Sequence, residues 1–321
     1  MSNVSKSNKT HINHSIQLSN QSSDPLIKNI FIRHHIYQEI RVFFCQRGYI
    51  EVETPILVRC PGMDPYIDAI AVEAEMYLAT SPELQMKRLL GMGFHRIFQF
   101  TKAFRKGEKG NLHNPEFGIL EWYHIHRDYY YLMDEVEALI RHLVQKLIDL
   151  GIDHIELEES PFPRCSIDEL FQTHAGWCPS LSWDEERFFL DFIDKIEPYI
   201  ISKPAMIIRD FPAPVASLAR LKPDATHVCE RFELYLNGLE IANAFSELTD
   251  PDEQKERFLE ARNHRRKLGK ETYPIDFKFL QTLEKAIPPC TGIAMGLDRL
   301  VMALIGEKKI ENVMPFPLQQ L

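Results

Sequence analysis

An Asn-Gly pair between two apolar runs, RFELYL and LEIANAFS, constrains this chain more than any other feature. Asn237 and Gly238 accept the positive φ of a two-residue turn, so the runs fold back on each other as antiparallel strands. In that register Leu236 faces Leu239, Tyr235 faces Glu240, and Glu233 faces Ala242. Glu233 and Glu240 then share one sheet face as diagonal neighbours, roughly 7 to 8 Å apart. Two carboxylates so placed converge on a cation. Oxygen-only ligands suit Mg²⁺, which takes one or two carboxylates and completes its shell with water and phosphate oxygens. The same pair also reads as two solvated glutamates on an exposed face. Plain alternation sends Asn243 and Glu247 to the opposite face, and a bulge or twist is needed to bring them in.

Three further stretches carry side chains suited to chemistry. Ser81, Pro82 and Glu83 precede LQMKRLL, so Ser at the N-cap and Pro at the first position start a helix. Glu83 in its first turn either complements the helix dipole or holds a ligand ammonium. IFQFTKAFRKGEKGNLHNPEFGILEWY reads as strand, polar loop, strand, with Gly107 and Gly110 in the loop. Alternation puts Phe117, Ile119, Glu121 and Tyr123 on one face, with Phe117 and Glu121 about 13 Å apart. That suits an elongated ligand with a flat apolar end and a cationic end; a half-buried strand without a ligand reads the same way. CTGIAMGLDRLVMALIG reads as a strand feeding an apolar helix. Arg299 in its first turn opposes the dipole, which a nearby phosphate or acidic side chain would explain.

Around these stretches the helices are marked by period and caps. Ile36, Ile40, Phe43 and Phe44 define one from Asn29, stopped by Gly48, and Ile50, Val52 and Thr54 alternate as a strand to Pro55. Leu132, Val136, Leu139, Ile140, Leu143, Leu147 and Leu150 form a second stripe, closed by Gly151. Ser166 with Glu169 and Ser182 with Glu185 read as capping boxes, and Asp250, Pro251 and Glu253 open a helix that stops at Gly269. Residues 1–24, rich in Ser and Asn, read as a flexible polar tail, and residues 25–321 as a single unit.

Composition narrows the function classes. A net charge of −9 argues against a broad polyphosphate-binding surface. Six cysteines without a CxxC pair indicate neither a zinc ribbon nor a disulfide framework. No apolar run reaches the roughly 18 residues of a membrane span, and a cytoplasmic location is expected.

Taken in order, GYIEVETP, the FR, HNPEF and EWY stretch, and GIAMGLDRL resemble motifs 1, 2 and 3 of class II aminoacyl-tRNA synthetases. HNPEF, the acidic hairpin and NAFSELTD favour the lysyl branch. Within it the chain is most similar to the elongation factor P (R)-β-lysine ligases, paralogues of lysyl-tRNA synthetase. Ser81, where synthetases usually have Ala, and Ala294, where they usually have Gly, side with the ligases. Only a short polar tail precedes motif 1, so an anticodon-binding barrel and tRNA binding are not expected. The resemblance implies an α+β fold, a mostly antiparallel sheet flanked by helices, and a homodimer joined through motif 1. It implies ATP-dependent activation of (R)-β-lysine or lysine, with transfer to a lysine ε-amine of elongation factor P. The alternatives are a truncated lysyl-tRNA synthetase and a regulatory paralogue without activity.

The resemblance also implies roles. Arg105 and Arg299 grip ATP phosphates, with Lys106 beside them; Phe117 and Arg299 sandwich adenine, and Asn114 contacts the nucleotide. Glu233 and Glu240 hold Mg²⁺, and Ile241 and Gly296 line the ATP site. Ser81, Pro82, Glu83, Glu121, Tyr123, Asn243, Glu247 and Ala294 surround the amino acid, with Glu121 and Glu247 on its side-chain ammonium. The Ala294 methyl narrows the floor and favours an amino group moved from the α to the β carbon. One departure is at motif 2, where FRNE of the family is replaced by Phe104, Arg105, Lys106, Gly107 and Glu108. Gly107 stands at the adenine-reading position, so either Glu108 takes over through a locally altered loop or base recognition is weaker. Lys106, Lys109, Arg262, Arg265 and Arg266 are expected to form a cationic rim facing an acidic partner.

Overall fold

The Asp24 carboxylate accepts the Leu26 N–H at 2.9 Å, Pro25 takes the first helical position, and α1 runs Pro25–Gln46. The computed structural model describes residues 24–73, 75–285 and 287–321; apart from Asp24, the expected tail lies outside the described residues. Ile32, Ile36, Ile40, Phe43 and Phe44 form the buried face of α1, and Gly48 adopts a φ of 75° just past its end. The strand that follows, β1 (Ile50–Glu51), is shorter than the alternation suggested.

Small strands β2 (Leu57–Val58), β3 (Ile70–Glu73) and β4 (Met76–Leu78) form a separate sheet leading to α2 (Glu83–Gly91). Next come β5 (Arg96–Phe104), β6 (Glu116–Ile125), α3 (Tyr129–Ile148), β7 (Arg164–Ser166) and α4 (Ile167–His174). Then α5 (Glu185–Asp191) passes through a π turn into α6 (Glu197–Ile201), followed by β8 (Ala205–Pro212) and β9 (Leu221–Lys222). The chain continues through β10 (Ala225–Leu236), β11 (Leu239–Ser246), α7 (Pro251–Lys267), α8 (Phe277–Glu284), β12 (Cys290–Gly296) and α9 (Leu297–Ile305).

The large sheet has the order β1-β5-β6-β12-β11-β10-β8-β7, with β9 on β10. Among the described residues only its two end pairs, β1 with β5 and β7 with β8, are parallel, so the α+β, mostly antiparallel architecture is as expected. One apolar cluster joins α1, α3 and α9 to the sheet through Phe44, Phe98, Trp122, Leu139, Ile293 and Leu300. Each such side chain, fully buried, contributes roughly 1.5–3 kcal/mol over exposure. A second cluster packs α2, α7 and α8 around Leu84, Tyr123, Phe258 and Phe279. The sheet separates the two, and the site lies on the face that carries Tyr123.

Ser166 and Glu169 form the expected capping box. The second expected box is corrected: α5 begins only at Glu185, and its cap is Asp184, whose carboxylate accepts the Arg187 N–H at 3.0 Å. Ser182 stands too far upstream to reach those amides. Asp250 caps α7 as expected, accepting from Asp252 and Glu253. Ile27, Ile30 and Val42 on α1, and Ile50, Ile56 and Leu57 in or beside the stretch read as motif 1, stay exposed. Among the described residues no helix is long and apolar enough to cross a membrane.

Candidate active site

The hairpin pairs as its turn requires at Leu236 with Leu239 and Tyr235 with Glu240, then slips, so that Leu234 meets Ala242 and Glu233 meets Asn243. The expected pairing of Glu233 with Ala242 is therefore corrected. Ile241 is the extra residue of a β-bulge, which reverses the alternation downstream. Asn243, Phe245 and Glu247 thereby join Glu233, Tyr235 and Glu240 in lining one cavity of about 950 Å³. Ile241 itself is 2% exposed and packs in the core, so its side chain does not line the site as expected.

Ser81, Glu83, Arg105, Glu121, Tyr123 and Ala294 line the same cavity. Ala294 pairs with Asn243 on one side and Glu121 on the other, which makes its methyl part of the floor. At one end the charge is negative. Ser81 Oγ donates to Glu121 Oε1 at 2.5 Å and accepts the Glu83 N–H at 3.1 Å; the helix starts at Glu83, one residue later than expected, with Pro82 at the cap. Tyr123 OH donates to Glu121 Oε2 at 3.1 Å. Lys87, which the sequence reading passed over, is 1% exposed; its Nζ lies 2.6 Å from Glu83 Oε1 and also contacts Glu247 Oε2. Burial, and then the Glu83 charge, push Glu121 up to about 8. Burial likewise pushes Glu247 up to about 8, against the opposing pull of Lys87.

The other end mixes carboxylates with guanidinium groups. Glu233 accepts from Arg231 at 2.7 Å and from Tyr235 OH at 3.1 Å, and burial followed by the neighbouring Glu240 pushes it up to about 7. Arg231 also donates to Asn243 Oδ1 at 3.1 Å. It too went unremarked in the sequence, although alternation from Glu233 puts it on the same face. Arg299 donates to the Glu240 carbonyl at 3.1 Å, lies 3.8 Å from its carboxylate and contacts His113, so an acidic neighbour does accompany it. Two oxygen ligands fit a hard cation such as Mg²⁺. Arg231 pairs with Glu233 and Arg299 lies beside Glu240, and among the described residues no third acidic, His or Cys side chain joins the two carboxylates.

The remaining motif 2 residues lie beside the cavity rather than in its lining. The Arg105 guanidinium sits 5.0 Å from the Phe117 ring centre and 3.6 Å from Glu108. Gly107 has a φ of 84°, a conformation that favours glycine, and Lys106 is exposed. Asn114 donates to the Glu116 carbonyl at 2.7 Å and accepts the Leu318 N–H at 3.0 Å. Gly296 is the N-cap of α9, and the Asp298 that follows accepts the Gly118 N–H at 2.8 Å and pairs with Arg33, tying α9 to β6 and α1. The cationic rim is corrected at Arg265. It is fully buried against Asp68 and the carbonyls of Asp64, Pro65 and Ile67, whose loop needs its donors.

A family model described as tRNA synthetases class II (D, K and N) matches residues 11–320. A protein of Hamiltonella defensa named elongation factor P–(R)-β-lysine ligase is 35% identical, over 94% of this chain and 98% of that protein. Proteins of the same name from Mannheimia succiniciproducens and Yersinia enterocolitica are each 38% identical, over 92% and 93% of this chain and 96% and 97% of theirs. The ordered motifs, the antiparallel sheet and the shared cavity thus meet in one conclusion: the chain belongs to the class II tRNA synthetase family of the D, K and N type, within its group of elongation factor P–(R)-β-lysine ligases.

Proposed function

We propose that this chain activates (R)-β-lysine or lysine with ATP and transfers the acyl group to a lysine ε-amine of elongation factor P. One observation carries the reading: a single cavity runs from three glutamates, Glu83, Glu121 and Glu247, to a cluster of Arg105, Arg231, Glu233 and Glu240. It therefore offers a cation site and an anion site to one elongated ligand. The amino-acid carboxylate attacks the α-phosphorus of ATP, the bond to the β-phosphate oxygen breaks, and pyrophosphate leaves. A neutral ε-amine then attacks the acyl carbon, AMP leaves and the amine sheds its proton. The residues contribute positioning and charge neutralisation rather than a nucleophile. Arg105 and Arg299 hold phosphate, Glu121 with Tyr123 and Ser81 orients the ammonium, and Ala294 limits depth. Glu233 and Glu240 would hold Mg²⁺, which when bound supplies neutralisation of phosphate charge.

The acceptor is tested by incubating the enzyme with ATP, Mg²⁺, β-lysine and elongation factor P, then reading the factor's intact mass and mapping the modified residue. A lysyl increment on one lysine is expected. An unmodified factor, together with efficient charging of tRNA-Lys, would replace the ligase reading with the synthetase one.

A pH dependence follows from the raised carboxyl groups. The ionised form pairs with an ammonium, and Glu121 and Glu247 ionise only near about 8, so below that value binding must displace protons. Amino-acid affinity is expected to climb as pH rises toward about 8 and then level, with proton release in calorimetry. The same raised values favour the empty fold at low pH and withdraw that stability as pH rises through about 8. An affinity that is flat across this window would contradict the assignment.

A further inference from the structure

Lys87 is absent from the cavity lining, and its ammonium sits behind the wall near the rings of Phe245 and Phe279, at 5.5 and 6.0 Å from their centres. A buried lysine is costly unless paired. Here Glu83, one turn earlier on α2, and Glu247, from the end of the β11 stretch, each give it an oxygen. Burial alone would lower its pKa, but Glu247 and Glu83 outweigh this and hold it above the ordinary lysine value. The other groups facing this cluster are Glu121, Tyr123 and Cys290. Burial raises the tyrosine and the thiol, so both stay neutral. Three carboxylates against one fixed ammonium leave a deficit of two charges when all are ionised. Glu247 Oε1 is buried and has no hydrogen-bond partner among the described residues, so part of that deficit is not met within the protein.

We propose that Lys87 is a positioning residue that sets at two the number of ammonium groups the pocket accepts. This deepens, and rests on, the amino-acid reading above. Both lysine isomers carry two ammonium groups, so the charge count separates diamino from monoamino acids, while the shape of the floor separates α from β. Lys87 never touches the ligand. It acts by cancelling one carboxylate and by holding Glu83 and Glu247 in register with each other.

The test compares calorimetric binding of lysine with binding of its hydroxyl analogue, in which –OH replaces the side-chain ammonium. The proteins are wild type, Glu83→Gln and the double variant Glu83→Gln with Lys87→Met, with a non-hydrolysable ATP analogue as the control for folding. Glu83→Gln leaves a deficit of one, and the preference for lysine over the analogue is expected to drop by about tenfold or more. The double variant returns the deficit to two, and the preference is expected to recover to near wild type. If Lys87 only packs, Lys87→Met adds an equal loss for both ligands and restores no preference, which overturns the proposal. Should the double variant fail to fold, the single variant decides: an unchanged preference in Glu83→Gln overturns the charge count. A wild-type protein that binds neither lysine nor β-lysine gives a different result, removing the amino-acid reading itself.

Discussion

Replacing Glu240 with Gln is expected to lower amino-acid-dependent pyrophosphate exchange by roughly a thousandfold, the scale on which one preorganised electrostatic contact acts at a reacting phosphate. The change is nearly isosteric and removes charge alone. The Arg299 contact to the Glu240 carbonyl survives, because the backbone provides it. The side chain is 43% exposed, so folding should change by no more than about 0.5 kcal/mol. Glu233 loses the neighbour that helps raise it and should ionise at lower pH. Exchange, Mg²⁺-dependent binding of an ATP analogue and thermal melting on one preparation check this together. Near wild-type exchange in Mg²⁺ would remove Glu240 from the metal site.

Gly292→Ala is the second large effect, and it acts through space rather than charge. Gly292 lies in β12 opposite Phe245 and Tyr123. A Cβ there would fall well inside contact distance of the Tyr123 ring and of Glu247 Oε1, both held in buried positions. Its φ is not positive, so the backbone tolerates alanine and the clash belongs to the side chains. Tyr123 and Glu247 must move, and a displacement of this order costs about a hundredfold in productive binding. Overpacking should also lower stability by about 1–3 kcal/mol. Calorimetry should show amino-acid affinity lost and nucleotide affinity kept. A variant that binds lysine as the wild type does would show that the pocket rearranges freely.

The parts of this site legible in the sequence are those set by local chemistry. Asn237-Gly238 specified the hairpin, and Glu233 and Glu240 came out on one face because both lie close to the turn. The bulge at Ile241 was legible only as a requirement, since nothing local distinguishes Ile241 from Ala242; its place depends on how β11 meets both β10 and β12. Glu83 and Lys87 were readable as an i,i+4 pair. The second partner of Lys87, Glu247, belongs to a distant strand and becomes visible only when α2 packs against the sheet. Arg265 was misread because RNHRRK looks solvated throughout, whereas the carbonyls that bury it come from the loop around Pro65. The residue roles came from family resemblance, which the residues alone could not supply.

The bulge makes the hairpin sensitive to length in a way it is not to composition. Exchanging Ile241 for another apolar residue keeps the phase of the strand, and the core accepts it within the usual cost of repacking. Deleting it would shift the strand by one, turning Asn243, Phe245 and Glu247 into the apolar layer and bringing Ala242, Ala244 and Ser246 to the ligand. The Glu247 end of the cavity is thus keyed to a single count of residues from the turn, whereas Glu233 and Glu240 lie before the bulge and keep their places. Substitution is tolerated here, but an indel between Gly238 and Asn243 would break the phase between Glu240 and Glu247, so that the two carboxylates no longer face one cavity.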